Sequence, residues 1–313
     1  MALPTCPRRW RRAWLIALLF VAAEVEAQQV PVGQKLLGTL GLHAGSQPDA
    51  GLYLAARYLR YRADELVDRS GASIPVGLEL DALGASVGLG VTIEVARLST
   101  WVNAAVGISA AHASLETDRP EASLDRAGLG DLFVQPLKLG WRTAHLDLVA
   151  GYAFYAPTGS FTPGGARGGV GRGHWTHEVS AGGAVYFDRA QTWHLTALAS
   201  LDVNTRKREI DITRGSTLQV QGGAGKRLLG IFEVGLAGYA LWQVSDDTGS
   251  DLPPVLRGAR DRAFGLGPEL GLAIPAIRSR LTARYEYDFA SRSRPQGQIF
   301  FFGLTSAAWT PSR

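Results

Sequence analysis

Few side chains in this 313-residue chain stand at spacings that could do chemistry. The closest set is His174, His177, Glu178 and Ser180. Imidazoles beside a carboxylate could hold a metal, and a histidine beside a serine could act as base and nucleophile. The residues around them alternate apolar and polar, which predicts a strand. Side chains an odd number of positions apart on a strand face opposite sides. His174 and His177 fail that test, and so do His177 and Ser180. His177 falls on the apolar face, where interfacial packing is role enough. The acidic run Asp246–Asp251 lacks the alternating ligand spacing and the closing glutamate of a calcium loop. It reads as a solvated loop. Gly164–Gly173 does not join a strand to a helix, so no phosphate cradle is expected. No catalytic residue, metal ligand or cofactor is therefore assigned.

Charges that share a strand face are more informative. In Arg280–Phe289, one face carries Leu281, Ala283, Tyr285, Tyr287 and Phe289, and the other carries Arg280, Thr282, Arg284, Glu286 and Asp288. In Trp193–Asn204, His194 and Asp202 lie on the polar face, opposite Trp193, Leu195, Ala197, Ala199, Leu201 and Val203. Gln219 and Gln221 share a face of a third segment. Glu178 opposes Val179 and Ala181 on a fourth. If the apolar faces meet lipid, an Arg or Lys turned toward the midplane would cost about 2–4 kcal/mol. Arg280, Arg284, Glu286, Asp288, His194, Asp202, Gln219, Gln221 and Glu178 are accordingly the candidates to line a lumen. They form either a mutually paired filling network or a lining that orients a solute. Phe300, Phe301 and Phe302 put rings on both faces of the last segment, so at least one ring points inward.

These segments recur through the chain. The pattern predicts strands near 51–62, 73–95, 101–112, 131–141, 144–155, 174–187, 192–204, 216–226, 232–244, 264–274, 280–289 and 298–308. Short linkers (96–100, 142–143, 188–191, 227–231, 275–279) alternate with longer ones (63–72, 113–130, 156–173, 205–215, 245–263, 290–297). Trp101, Trp141, Trp175, Trp193, Trp242 and Trp309 all fall at strand ends, where an interfacial aromatic girdle belongs. An even strand count, alternating loop length and an aromatic girdle together predict an all-β fold, a transmembrane antiparallel outer-membrane β-barrel of about twelve strands with both termini in the periplasm. Segment 73–95 is the awkward one, because it contains Pro75 and several glycines. It is taken as one long strand.

Ahead of the barrel, Arg8, Arg9, Arg11 and Arg12 precede an apolar run, Ala13–Ala23, and the small-residue site Val25-Glu26-Ala27. This reads as a secretory signal peptide over 1–27, with cleavage near Ala27. The lone cysteine, Cys6, lies within it. Residues 28–50 form a lead that is either disordered, the slightly favoured reading, or a short plug. The barrel then covers 51–308, and 309–313 is a tail. The signal holds four Arg and two Glu, so its removal lowers the formal net charge of +4 by two. No basic tract points to nucleic acid. The partners expected are outer-membrane lipid, the outer-membrane assembly machinery and a small-molecule solute.

Several short runs, in order, resemble one bacterial family. They are Gly128-Leu129-Gly130-Asp131-Leu132, Pro136, Gly140-Trp141-Arg142, Ala156-Pro157-Thr158-Gly159 and Gly173-His174-Trp175-Thr176. Gly238-Tyr239, Gln243-Val244-Ser245-Asp246-Asp247, Gly265-Leu266-Gly267-Pro268 and Arg294-Pro295-Gln296-Gly297 follow. The family is the outer-membrane "MetA-pathway of phenol degradation" proteins, themselves similar to long-chain fatty acid and aromatic hydrocarbon uptake barrels. The resemblance implies a barrel that passes hydrophobic or aromatic compounds and supplies no catalytic residue. The expected function is passage of small solutes through the lumen. The alternatives are a structural or adhesive barrel whose outer loops do the work, and an outer-membrane enzyme acting on lipid.

Overall fold

Alternation of small or polar residues with apolar ones builds the observed strands. The computed structural model describes residues 37–163 and 167–311. The expected signal peptide, residues 1–27, lies outside the described residues. Fifteen strands follow in chain order. They are β1 (Gly51–Val67), β2 (Ser73–Ile74), β3 (Glu79–Val95), β4 (Thr100–Asp118), β5 (Glu121–Leu129), β6 (Leu132–Arg142), β7 (Leu146–Ala156) and β8 (Arg167–Gly168). Then come β9 (Thr176–Tyr186), β10 (Trp193–Asn204), β11 (Thr217–Leu228), β12 (Phe232–Gln243), β13 (Arg262–Ile274), β14 (Ser279–Arg292) and β15 (Arg294–Trp309). Twelve of them pair antiparallel with their neighbours in the order β1, β3, β4, β6, β7, β9, β10, β11, β12, β13, β14, β15, and β15 pairs back onto β1. The sheet is therefore a closed twelve-stranded barrel, with β2, β5 and β8 as additions at one end. Among the described residues no helix is long and apolar enough to cross a membrane.

The two faces are sorted in the reverse sense to a soluble sandwich. Along β10, His194, Thr196, Ser200 and Asp202 are buried inside, whereas Trp193, Leu195 and Val203 are exposed outside. The outer wall is a continuous apolar surface carrying Leu89, Val106, Leu148, Leu236, Leu266 and Phe302, among others. Water does not stabilise such a wall, and hydrocarbon does. Where strands press close, glycine is required. A Cβ on Gly222 would sit 2.8 Å from the Ala197 Cα, and one on Gly182 would sit 2.7 Å from the Leu198 Cα.

Three expectations about strand limits are corrected. Segment 73–95 is not one strand, because Pro75 ends β2 and residues 75–78 intervene before β3. The expected loop 113–130 is a hairpin, in which β5 continues the ladder of β4 from Asp118↔Glu121 to Ala110↔Leu129. The expected loop 290–297 is absent, because β14 and β15 extend to a single connecting residue, Ser293, at φ +55°. In the last two cases the ladder runs past the apolar band and projects from the membrane, where sequence periodicity fades but backbone pairing does not.

β5 and β6 act as one interrupted strand. Both pair with β4, and the break falls at Gly130-Asp131. Past Leu132↔Ala156, β6 and β7 part, and β5 meets only the two-residue β8 on that edge. Pro136 lacks an N–H, and the register of β6 slips beside it on both sides.

The long-loop half of the interior is packed. Leu59, Tyr61, Leu80, Leu115, Leu124, Tyr239, Leu241, Ile299 and Phe301 form one buried apolar cluster, joined by Leu66 at the end of β1 and by Val76 and Leu78 from the link between β2 and β3. Phe301 is the inward ring, and Phe300 and Phe302 face out.

Replacement of Leu236, central on β12 and exposed on the outer wall, by Arg should destabilise the barrel by about 2–4 kcal/mol. Urea unfolding in lipid vesicles measures this. An unshifted midpoint would mean that this face does not meet hydrocarbon.

Candidate functional site

Closing the sheet creates a lumen at membrane depth, and the chain puts its own lead into it. Residues 37–50 lie inside the barrel, where the sequence alone leaned toward a disordered lead. Within the lumen this strap must have every backbone polar group met by the wall. The Leu40 N–H donates to Gln221 Oε1 (3.0 Å), the Leu42 N–H to Glu269 Oε2 (3.2 Å) and the Gly45 N–H to Thr196 Oγ1 (2.7 Å). The Gly38 carbonyl accepts from the Arg284 guanidinium. Lys138 Nζ donates to the Ser46 carbonyl at 3.2 Å. Near the short-turn end, Arg142 grips the Gln47 and Pro48 carbonyls and pairs with Asp49 (2.6 Å). Gln47 donates to the Trp101 carbonyl (2.9 Å).

The strap also has a socket. Cβ atoms added to Gly223, Gly225 and Gly235 would each lie 2.9 Å from a Leu42 methyl. These glycines face inward on β11 and β12, and their missing side chains are the space Leu42 occupies. Next to Leu42, His43 Nε2 meets Glu233 Oε2 at 2.8 Å, and its ring stacks on His194 at 6.1 Å. Glu233 also meets His194 Nε2 (3.4 Å) and the Arg280 guanidinium. One buried carboxylate thus ties the strap to β10, β12 and β14.

The residues singled out from sequence take these positions. Arg280, Arg284, Glu286 and Asp288 lie on the inward face of β14. Arg284 pairs with Glu269 (2.6 Å), approaches Glu286 (3.4 Å) and lies over the Phe301 ring (4.5 Å). Asp288 accepts from the Tyr61 hydroxyl (3.0 Å) and from Tyr239. Gln219 donates to Asp202 and Gln221 to Gln219, each at 3.2 Å. Glu178 is buried beside them and registers opposite Asp202. His174 and His177 stay apart. His174 Nδ1 donates to the Arg172 carbonyl (3.0 Å), and His177 shares a hydrogen bond with Tyr152 (2.8 Å). The acidic run is absorbed by its own surroundings, with Asp246 on Arg260 (2.7 Å) and Asp251 accepting the Asp211 N–H (2.7 Å). Among the described residues no group of His, Cys, Asp or Glu could hold a metal.

Of the six tryptophans, Trp141, Trp175, Trp193, Trp242 and Trp309 face outward at the two ends of the barrel. A register shift opposite Leu52/Tyr53 turns Trp309 to the outer side. Trp101 corrects the girdle expectation. It shares strand parity with inward Asn103, and Arg142 stacks over its ring at 4.8 Å, so it packs under the strap.

Sequence reasoning missed His43, Glu233, Glu269 and the glycine socket. Strand parity puts both glutamates on an inward face, but each stands alone among apolar and glycine neighbours, Phe232 and Val234 beside one and Pro268 and Leu270 beside the other, so no shared charged face marked them. Arg57 was missed as well. It faces inward on β1, opposite Ser86, and is exposed within the lumen, with no acceptor among the described residues. Near it, inward Gly88, Gly90, Ala105 and Gly107 are only partly buried. The strap therefore runs from β10–β15 across to β6 and the Trp101 end of β4, while small residues leave space along the middle of β1, β3 and β4.

A closed barrel with an apolar outer wall and a polar, strapped interior defines an outer-membrane β-barrel protein. A family model described as "Putative MetA-pathway of phenol degradation" matches residues 68–302, and the chain belongs to that family. An outer membrane channel from Pseudomonas putida superposes with a TM-score of 0.72 at 12% identity, over 84% of this chain and 97% of that one. The transport unit of the autotransporter AIDA-I from Escherichia coli superposes at 0.55 and 10% identity, over 92% and 97%. At such identities these likenesses speak to the fold alone. No curated protein matches the sequence.

The single cysteine of the sequence, Cys6, lies outside the described residues, and with Cys6 replaced by serine the strap can be probed cleanly. Ala44→Cys is buried at 2% exposure and should react slowly with a membrane-impermeant maleimide. Adding Gly225→Leu fills the socket of Leu42 and should speed labelling by at least about tenfold through local opening. Equal rates would mean that the socket does not hold the strap.

Proposed function

We propose that this protein is an outer-membrane channel that passes small, largely apolar or aromatic solutes through the lumen beside the strap. The observation that carries the reading is the contrast between two sides of one lumen. On the strap side, the Leu40, Leu42 and Gly45 N–H groups and the Gly38 and Ser46 carbonyls are each met by a wall side chain. Level with Arg57, the β1–β3–β4 side keeps space lined by Gly88, Gly90, Ala105 and Gly107 and by one arginine, Arg57 itself, without an acceptor among the described residues. A barrel that served only as a scaffold would gain by packing that side too. Nothing is transformed. Solute binds weakly, moves past and leaves. Arg280, Arg284 and Glu286 form the wall behind the strap and act on solutes through its position, and Arg57 acts on them directly.

Family membership and the fold support this reading. The short turns lie on the periplasmic side and the long loops outside, so the strap comes in from the periplasm. A second reading has its own support. The apolar cluster that fills the long-loop half favours a closed barrel working through its outer loops.

Single-channel recording of the folded protein in planar bilayers separates the two readings. Small steady openings are expected, with an anion preference set by Arg57. Arg57→Ala should shift the reversal potential in a salt gradient toward cations. A folded barrel that neither conducts nor speeds uptake of benzyl alcohol into liposomes would overturn the channel.

A further inference from the structure

The long connections β7–β9 and β10–β11 bring two buried cations together at the outer end of the barrel. The Arg208 N–H donates to the Gly173 carbonyl (2.7 Å), the Thr205 N–H to the Trp175 carbonyl (2.9 Å) and the Trp175 N–H to Thr205 Oγ1 (3.0 Å). This stitching sets Lys207 against Arg172 and His174. Lys207 is 6% exposed and Arg172 is 8% exposed. Neither side chain has an acceptor among the described residues, and the Arg172 Nε is buried without a partner. An isolated buried charge is costly, and two of like sign cost more.

The carboxylates nearby are already engaged. Asp131 accepts the backbone N–H groups of Gly159 and Arg172, each at 3.0 Å. Asp261 pairs with Arg214 at 2.8 Å. One oxygen of Asp247 takes both the Gly215 N–H (2.8 Å) and the Gln243 amide (2.6 Å). Asp202 accepts from Gln219. Burial, with Arg214 and Arg172 close by, pushes the Lys207 ammonium down to about 8, and burial with Arg214 pushes Arg172 down to about 10. His174, held neutral by burial with its pKa down to about 3, spends its Nδ1–H on the Arg172 carbonyl. It adds no negative charge. The missing element is an anion.

The surroundings also suggest its body. Lys207 Nζ stands 5.9 Å from the Phe161 ring centroid. Tyr155 and Phe133 pair at 5.2 Å on the inward faces of β7 and β6, next to the break at Gly130-Asp131. Aromatic rings beside cationic heads suit a flat apolar body carrying one negative group. We infer that Lys207 and Arg172 form an anion-binding site at the outer mouth that takes the carboxylate of a small aromatic acid, with Phe161 and the Phe133–Tyr155 pair against its ring. This deepens the channel reading by naming a solute class, and it rests on that reading only for what happens after binding.

The test is calorimetric titration of the full folded protein in lipid nanodiscs with benzoate, benzyl alcohol and inorganic phosphate. Benzoate should bind at least about tenfold more tightly than benzyl alcohol. Lys207→Met and Arg172→Met should each remove that advantage, and Lys207→Arg should keep most of it. Without ligand, Lys207→Met should also raise the melting temperature, because it removes an uncompensated buried charge. A lysine that merely held the loops together would lower it. Equal binding of benzoate and benzyl alcohol, or benzoate affinity unchanged in both methionine variants, would overturn the site. Tighter binding of phosphate than of benzoate would also overturn it, in favour of a phosphate or lipid headgroup. Benzyl alcohol uptake by proteoliposomes is measured in parallel. Uptake without benzoate binding removes the anion site and keeps the channel. Benzoate binding without uptake keeps the site and removes the channel.

Discussion

The bilayer interior offers no water to a peptide group, and the architecture follows from that one constraint. Every N–H and C=O at membrane depth must find a partner within the chain, which for strands means closing the sheet on itself. Closure onto β1 by β15 and β3 accomplishes this. It also divides the side chains by parity. Outward positions must be apolar, and whatever polarity the chain carries at that depth has to go inside. The interior then inherits the same problem at smaller scale, since glutamates and arginines crowded into a lumen need partners as much as the backbone did.

The strap answers that second problem. Glu269 is met by Arg284 and by the Leu42 N–H, Glu233 by His43, His194 and Arg280, and Gln221 by the Leu40 N–H. Wall and strap satisfy each other, so neither has a low-energy arrangement without the other. The glycines of β11 and β12 act in the same sense. They let curved strands approach, and they leave the recess into which Leu42 fits. Two groups of cations stand apart from that network. Arg57 in the open part of the lumen has no acceptor among the described residues, and Lys207 and Arg172 at the long-loop end lie near carboxylates that other donors already engage. They lie near the parting of the wall between β5–β6 and β7.

How much was legible in advance depended on how local the signal is. The parity of Arg280, Arg284, Glu286 and Asp288 is a property of one strand, and a period of two suffices to read it. The failure of His174 and His177 to converge follows from the same arithmetic. Trp101 shows where such reading stops. Its position at a strand end suited a girdle, but which side it faces depends on a register shared with Asn103 and on an Arg142 that stacks over it. The extension of β14 and β15 to Ser293 was hidden for a related reason. Outside the apolar band nothing forces alternation, and only the ladder itself shows the strands continuing.

The sequence by itself determined a membrane barrel of twelve strands, because alternation, loop lengths and polar–apolar sorting are imposed locally by hydrocarbon on one side and lumen on the other. Only the tertiary structure decided what fills that lumen. The partners of Glu233, Glu269 and Leu42 lie as many as 227 positions away in the chain, and the lead that supplies His43 and Leu42 has no periodicity of its own. Polar groups buried across a closed barrel are paired by geometry, and no local pattern announces which distant side chain will meet which.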